Sequence, residues 1–168
     1  KTDGSRYLIA VSSHHLCYAS SSTFITLIST LNWNSTIWGT QYNNNFYIGE
    51  NKGDSWMFDG SVLTATGIPH CKYAITEFDK VFAANLATTG NGSKIVYSRI
   101  GSPMDFEGDA YIYFNRDDGE SITGIKSYNG NIYVFKPHAI GILIGVDDDY
   151  SDNDGIITIC KGIGCLYN

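Results

Sequence analysis

The chain has 168 residues, enough to bury a real core. Its net charge of −6 and the lack of any Lys/Arg run exclude a basic nucleic-acid groove and an anionic-membrane patch. No apolar stretch approaches the roughly 18 residues that span a bilayer. Charged residues are only 17%, aromatics reach 14% and there are 18 glycines, a balance that favours short strands and turns over helices.

From the N-terminus, strands are predicted at residues 7–12 and 16–19, joined by Ser13-His14-His15, with a third at 24–31. The next group is 37–41, 46–49, 56–58 and 62–67. A third follows at 72–76, 81–85 and 95–98, and a fourth at 122–126, 132–135 and 140–144. The strand-like run Ala110-Tyr111-Ile112-Tyr113-Phe114 and the acidic turn at 116–120 lengthen the interval before the last group. No segment carries a sustained helical period. The chain begins at Lys1 with no leader pattern and stops soon after a strand, so it reads as processed or partial.

One unit recurs through these groups: an aromatic, a tight polar turn, then an aromatic and β-branched strand. It appears as Tyr42-Asn43-Asn44-Asn45-Phe46-Tyr47-Ile48, as Phe78-Asp79-Lys80-Val81-Phe82-Ala83-Ala84, and as Tyr128-Asn129-Gly130-Asn131-Ile132-Tyr133-Val134, with a partial copy near Tyr7-Leu8-Ile9. Repeats of three or four antiparallel strands, roughly 35–50 residues apart, are the signature of propeller blades. The fold expected is therefore all-β and propeller-like, with about three and a half to four blades near residues 1–31, 36–68, 71–106 and 110–146, and a further blade starting at 156–168. A blade buries its faces only against neighbours, so the chain reads as part of a larger propeller or as one that closes its ring with another chain.

Residues that could carry chemistry are few. The run from Asp147 to Gly155 offers Asp147, Asp149, Asp152 and Asp154 as oxygen ligands for Ca²⁺. Setting Gly155 at the EF-hand turn puts Tyr150 first and Lys161 last among the ligands, so the run is no EF-hand, and a solvated acidic loop is the alternative. Cys160 and Cys165 read as half a metal site, a small disulfide loop or free thiols packed as small hydrophobes, and Cys17 and Cys71 stand apart from any framework. Asp79, Asp105, Asp117, Asp118 and Glu120 are carboxylates without a spacing that selects an acid–base pair. His14, His15, His70 and His138 stand beside no nucleophile motif. Trp33, Trp38 and Trp56 suit either sugar stacking or blade packing. Arg99 and Asp105 bracket a turn built on Gly101 and Pro103, onto which Phe106 can fold back. Gly162-Ile163-Gly164 lacks the rest of a dinucleotide fingerprint. No catalytic residue and no cofactor is assigned.

The stretch from Asp118 through Ile122-Thr123-Gly124 to Val134-Phe135-Lys136, followed by Gly162-Ile163-Gly164-Cys165, resembles β-propeller domains of tailed-bacteriophage virion proteins, found in tail, nozzle and head-to-tail positions. Tyr97-Ser98 to Asp105-Phe106 and Trp56-Met57-Phe58-Asp59-Gly60 resemble further blade corners of that family, so the likeness covers about residues 38–165. It implies a structural, non-enzymatic part of a virion assembled in the host cytoplasm. The implied partners are other virion subunits, further blades or copies of itself, with no nucleic-acid or membrane contact. A glycan-binding or glycoside-processing propeller is the alternative.

Overall fold

The computed structural model describes residues 7–20, 23–32, 34–106, 108, 110–146 and 155–165. They form an all-β chain of fifteen strands in four antiparallel sheets, each a meander in which sequential strands pair. The first sheet holds β1 (Ile9–Ser12), β2 (His15–Ser20) and β3 (Thr23–Ile28). The second holds β4 (Ile37–Tyr42), β5 (Asn45–Glu50), β6 (Ser55–Phe58) and β7 (Leu63–Thr66). The third holds β8 (Cys71–Glu77), β9 (Lys80–Leu86), β10 (Lys94–Tyr97) and β11 (Tyr111–Tyr113). The fourth holds β12 (Gly124–Tyr128), β13 (Asn131–Lys136), β14 (Ala139–Ile144) and β15 (Gly155–Lys161).

Two sheet limits differ from those expected. Tyr111–Tyr113 pairs with Lys94–Tyr97 and so completes the third sheet; it does not open the fourth unit. Gly155–Lys161 pairs with Ala139–Ile144 and completes the fourth sheet, where the start of a further one was expected. Both strands follow long connections, and hydrogen-bonding partners across such gaps are set by packing.

The recurring unit is a hairpin. Tyr42 pairs with Asn45, Glu77 with Lys80 and Tyr128 with Asn131, each across a two-residue turn. Asn129 (φ 50°) and Gly130 (φ 71°) give the left-handed pair that matches strand twist. In the third sheet the turn residues are Phe78 (φ 50°) and Asp79 (φ 56°). The aromatic expected before the turn thus lies inside it, one residue later than its counterparts. Left-handed backbone is unfavourable for a bulky residue, and Phe78 is held there by packing against the core between the third and fourth sheets.

Consecutive sheets pack face to face, and strand alternation explains how. In β9, Val81 and Ala83 point to a core shared with Trp38 and Tyr47 of the second sheet. Phe82 and Ala84 point to a core shared with Ile125, Ile132 and Val134 of the fourth. A period of two thus feeds two cores from one strand. A smaller core joins Leu16 and Leu31 to Ile48 of the second sheet. The first strands of the last three sheets neighbour one another: β4 meets β8 through Thr40 Oγ1 and Thr76 Oγ1 at 2.7 Å, and the Ser127 hydroxyl of β12 donates to Glu77 of β8.

Candidate functional site: buried polar clasps and the Glu120–His138 cleft

Counting from each hairpin turn, the sixth residue of the second strand is Glu50 in β5, Asn85 in β9 and Lys136 in β13. All three are buried, at or one residue before the end of strands that are otherwise largely apolar. A buried polar side chain must find partners, and each finds at least one in a linker between sheets. Glu50 accepts from the Asn32 backbone N–H at 2.8 Å and from Asn32 Nδ2 at 2.9 Å. Asn85 Nδ2 donates to the Ile122 carbonyl at 2.7 Å. Lys136 Nζ, with a side chain 0% exposed, donates to Asp118 Oδ1 at 2.7 Å, to the Asn115 carbonyl at 2.8 Å and to Ser93 Oγ at 3.0 Å. These are clasps that fix one sheet to the chain entering or leaving its neighbour.

The Lys136 clasp sits beneath a cleft of about 380 Å³ lined by Asn115, Asp118, Glu120, His138, Ala139 and Lys161. A single 3₁₀ turn, Arg116–Asp118, shapes its rim between Asn115 and Gly119, both left-handed. Glu120 pairs with His138 Nδ1 and also accepts the His138 backbone N–H at 3.3 Å. Asp118 Oδ1 accepts the Glu120 N–H at 2.9 Å in addition to the Lys136 ammonium. Of the sequence candidates, the fold therefore gathers Asp118, Glu120 and His138. Asp118 is engaged by Lys136, and Glu120 by His138, so the arrangement ties the 115–120 segment to the β13–β14 turn.

The remaining candidates lie elsewhere. Asp79 occupies its turn, where its carbonyl accepts the Gly101 N–H at 2.9 Å. Arg99 and Asp105 form a half-exposed pair at 3.9 Å across a corner also closed by the Arg99 N–H on the Asp105 carbonyl. Phe106 packs from that corner onto the core between the second and third sheets, as expected. Asp117 is exposed on the 3₁₀ turn, and His14 Nδ1 lies 3.2 Å from the Leu31 carbonyl. His15 and His70 do not line the cleft. Trp38 is buried against Gly49, where a Cβ would collide with its ring, and Trp56 packs against the first core, so both serve packing. Trp33 lies outside the described residues.

Among the described residues no disulfide joins Cys160 to Cys165, so the small disulfide loop is not formed. Burial pushes the Cys71 thiol up to about 12, the behaviour of an inert core thiol. Among the described residues no three His, Cys, Asp or Glu side chains converge as a metal site. The Ca²⁺ candidates Asp147, Asp149, Asp152 and Asp154 lie outside the described residues. Gly162 (φ 78°) and Gly164 have structural reasons to be glycine: a Cβ at Gly164 would meet the backbone of Lys136 and Pro137. Beside them Cys165 N–H donates to the Lys136 carbonyl at 2.9 Å, and Thr123 Oγ1 donates to the Cys165 carbonyl at 2.6 Å.

Sequence reasoning missed the clasps as sites, although Lys136 closes the Val134-Phe135-Lys136 motif. The available signal was a polar residue ending an apolar strand at one fixed distance from each turn. No helix among the described residues is long and apolar enough to cross a membrane. No protein-family model and no curated protein sequence matches this chain.

Proposed function

We propose that this chain is a rigid propeller-type scaffold module of a tailed-phage-like virion, working through contacts with neighbouring subunits or blades. The observation that carries this reading is the serial packing of four meander sheets, each junction filled by side chains and pinned by inter-sheet hydrogen bonds. Adjacent first strands and face-to-face sheets are what blades around an axis require. The residues that suggested a phage propeller in the sequence are used for mechanical purposes here. Ile122 and Thr123 anchor linkers, Lys136 forms a clasp, and Gly164-Cys165 docks the chain leaving the fourth sheet. A glycan-binding reading is favoured less, since Trp38 and Trp56 are spent on packing.

Immunodetection in density-gradient fractions of phage particles from the source of this sequence tests the proposal. Signal co-migrating with intact particles is expected. Signal confined to particle-free fractions would overturn it.

A further inference from the structure

The pairing registers put the strands of the four sheets in residue-by-residue correspondence, and the comparison shows which faces are covered. In the second sheet the third residue of β5, Tyr47, is buried under the third sheet; in the third sheet its equivalent, Phe82, is buried under the fourth. The equivalent in the fourth sheet is Tyr133. On its face the pairing register lines up Tyr133, Ile142 and Ile157 in one row, and Phe135, Ile140 and Cys160 in the next. None of these belongs to a core among the described residues; Ile157 is 53% exposed and the other five are half-buried. This face has the composition of a junction, but among the described residues no sheet lies over it.

The first sheet supplies the opposite case. Its β1, β2 and β3 correspond to β13, β14 and β15. Both sets join their first two strands by a two-residue turn, Ser13-His14 in one and Pro137-His138 in the other. Both carry a register shift just after it, at Leu16/Cys17 and at Ile140/Gly141. Both have a backbone N–H after the third strand donating to the second turn residue: Leu31 to the His14 carbonyl, Gly162 to the His138 carbonyl. Under this correspondence Ile9 and Leu16, which face the second sheet, match Tyr133 and Ile140. The other face of the first sheet carries Leu8, Ala19 and Phe24, matching Ile132, Leu143 and Ile156. Those three pack in the core between the third and fourth sheets, whereas Leu8 and Phe24 are 62% and 61% exposed.

We infer that the open face of the fourth sheet (Tyr133, Phe135, Ile142, Ile157) receives the open face of the first sheet (Leu8, Ala19, Phe24) of a second copy of this chain. The inference rests on the scaffold reading. Each of the three internal junctions joins one face of the first kind to one of the second kind, and the chain leaves one of each uncovered. A copy is therefore a partner whose docking surface repeats a junction already built here. Such a contact is heterologous, head to tail, and generates rings where the rotation closes and filaments where it does not.

Sedimentation velocity of the whole chain over a concentration series tests this, with Phe24→Lys and Ile157→Lys, both at exposed positions, as the two face variants. Wild type is expected to self-associate, and each variant alone to sediment as a monomer with an unchanged circular dichroism spectrum and melting curve. An equimolar mixture of the two variants should recover a dimer, because each retains the face the other has lost. A monomeric wild type would overturn the inference and indicate a different occupant, such as a further blade. Association unchanged in both variants, or a mixture that stays monomeric, would also overturn it. Particle co-migration reports separately on the scaffold reading: a monomeric chain that is found in particles sinks only the head-to-tail contact.

Discussion

The junction between the third and fourth sheets and the junction between the first and second are built on the same plan but with different depth. Among the described residues the former buries fourteen side chains, including Phe82, Phe114, Ile122 and Ile132, and adds the Lys136 clasp. The latter buries three, Leu16, Leu31 and Ile48, with the Glu50–Asn32 clasp and the Tyr18–Phe58 ring contact beside them. Burial scales with apolar area removed from water, so cohesion rises along the chain. The polar clasps are present at both junctions, which separates two jobs. Apolar area sets how strongly sheets adhere, and the clasps set the register in which they do.

The largest expected effect comes from removing a ring at the deep junction. Phe82→Ala should cost about 3–5 kcal/mol and lower the single unfolding midpoint of the whole chain in urea. Leu16→Ala at the shallow junction should cost about 2–3 kcal/mol. It should accelerate amide exchange in β1–β3 while leaving β9 and β13 protected, because local opening follows local contact density. If the two variants lowered protection uniformly, the difference between the junctions would have no energetic meaning.

A smaller effect is expected from the clasps. Lys136→Ala leaves a void and frees the 115–120 segment, and should cost about 2–4 kcal/mol. Lys136→Met, which keeps the volume, should recover roughly half of that loss without restoring proteolytic resistance near Asn115. Complete recovery of both would mean that the ammonium's hydrogen bonds set no register.

The smallest effect concerns Cys71, in the core between the second and third sheets. Its thiol is held up to about 12 by burial, against an ordinary value of 9.0. Between those values the unfolded chain has lost a proton that the folded chain keeps. Its contribution to stability is therefore complete below about pH 9 and is progressively lost as pH rises toward 12. Urea midpoints measured across that window should fall more steeply in the wild type than in Cys71→Ala. In the native state at pH 8, alkylation should reach exposed Cys165 well before Cys71.

Most strands were legible because alternation and turn chemistry are local. Asn129-Gly130 announces its hairpin, and residues 37–41, 46–49 and 132–135 all lie within strands. Phe78 was not legible as a turn residue, because phenylalanine takes a left-handed conformation only when a neighbouring core holds it there. The clasps were hidden for a similar reason. Nothing near Glu50 in the chain says that Asn32 will reach it, and burying Lys136 is tolerable only because Asn115 and Asp118 of the linker after β11 and Ser93 of the β9–β10 connection converge on it.

By itself the sequence determined the all-β class and the hairpin period, because each depends on composition or on neighbours a few residues apart. Tertiary structure decided that Tyr111–Tyr113 and Gly155–Lys161 complete the third and fourth sheets. It also decided which carboxylate meets Lys136 and which two sheet faces are left uncovered by the described residues. Those outcomes depend on packing between segments joined by long connections, where no local preference fixes the partner.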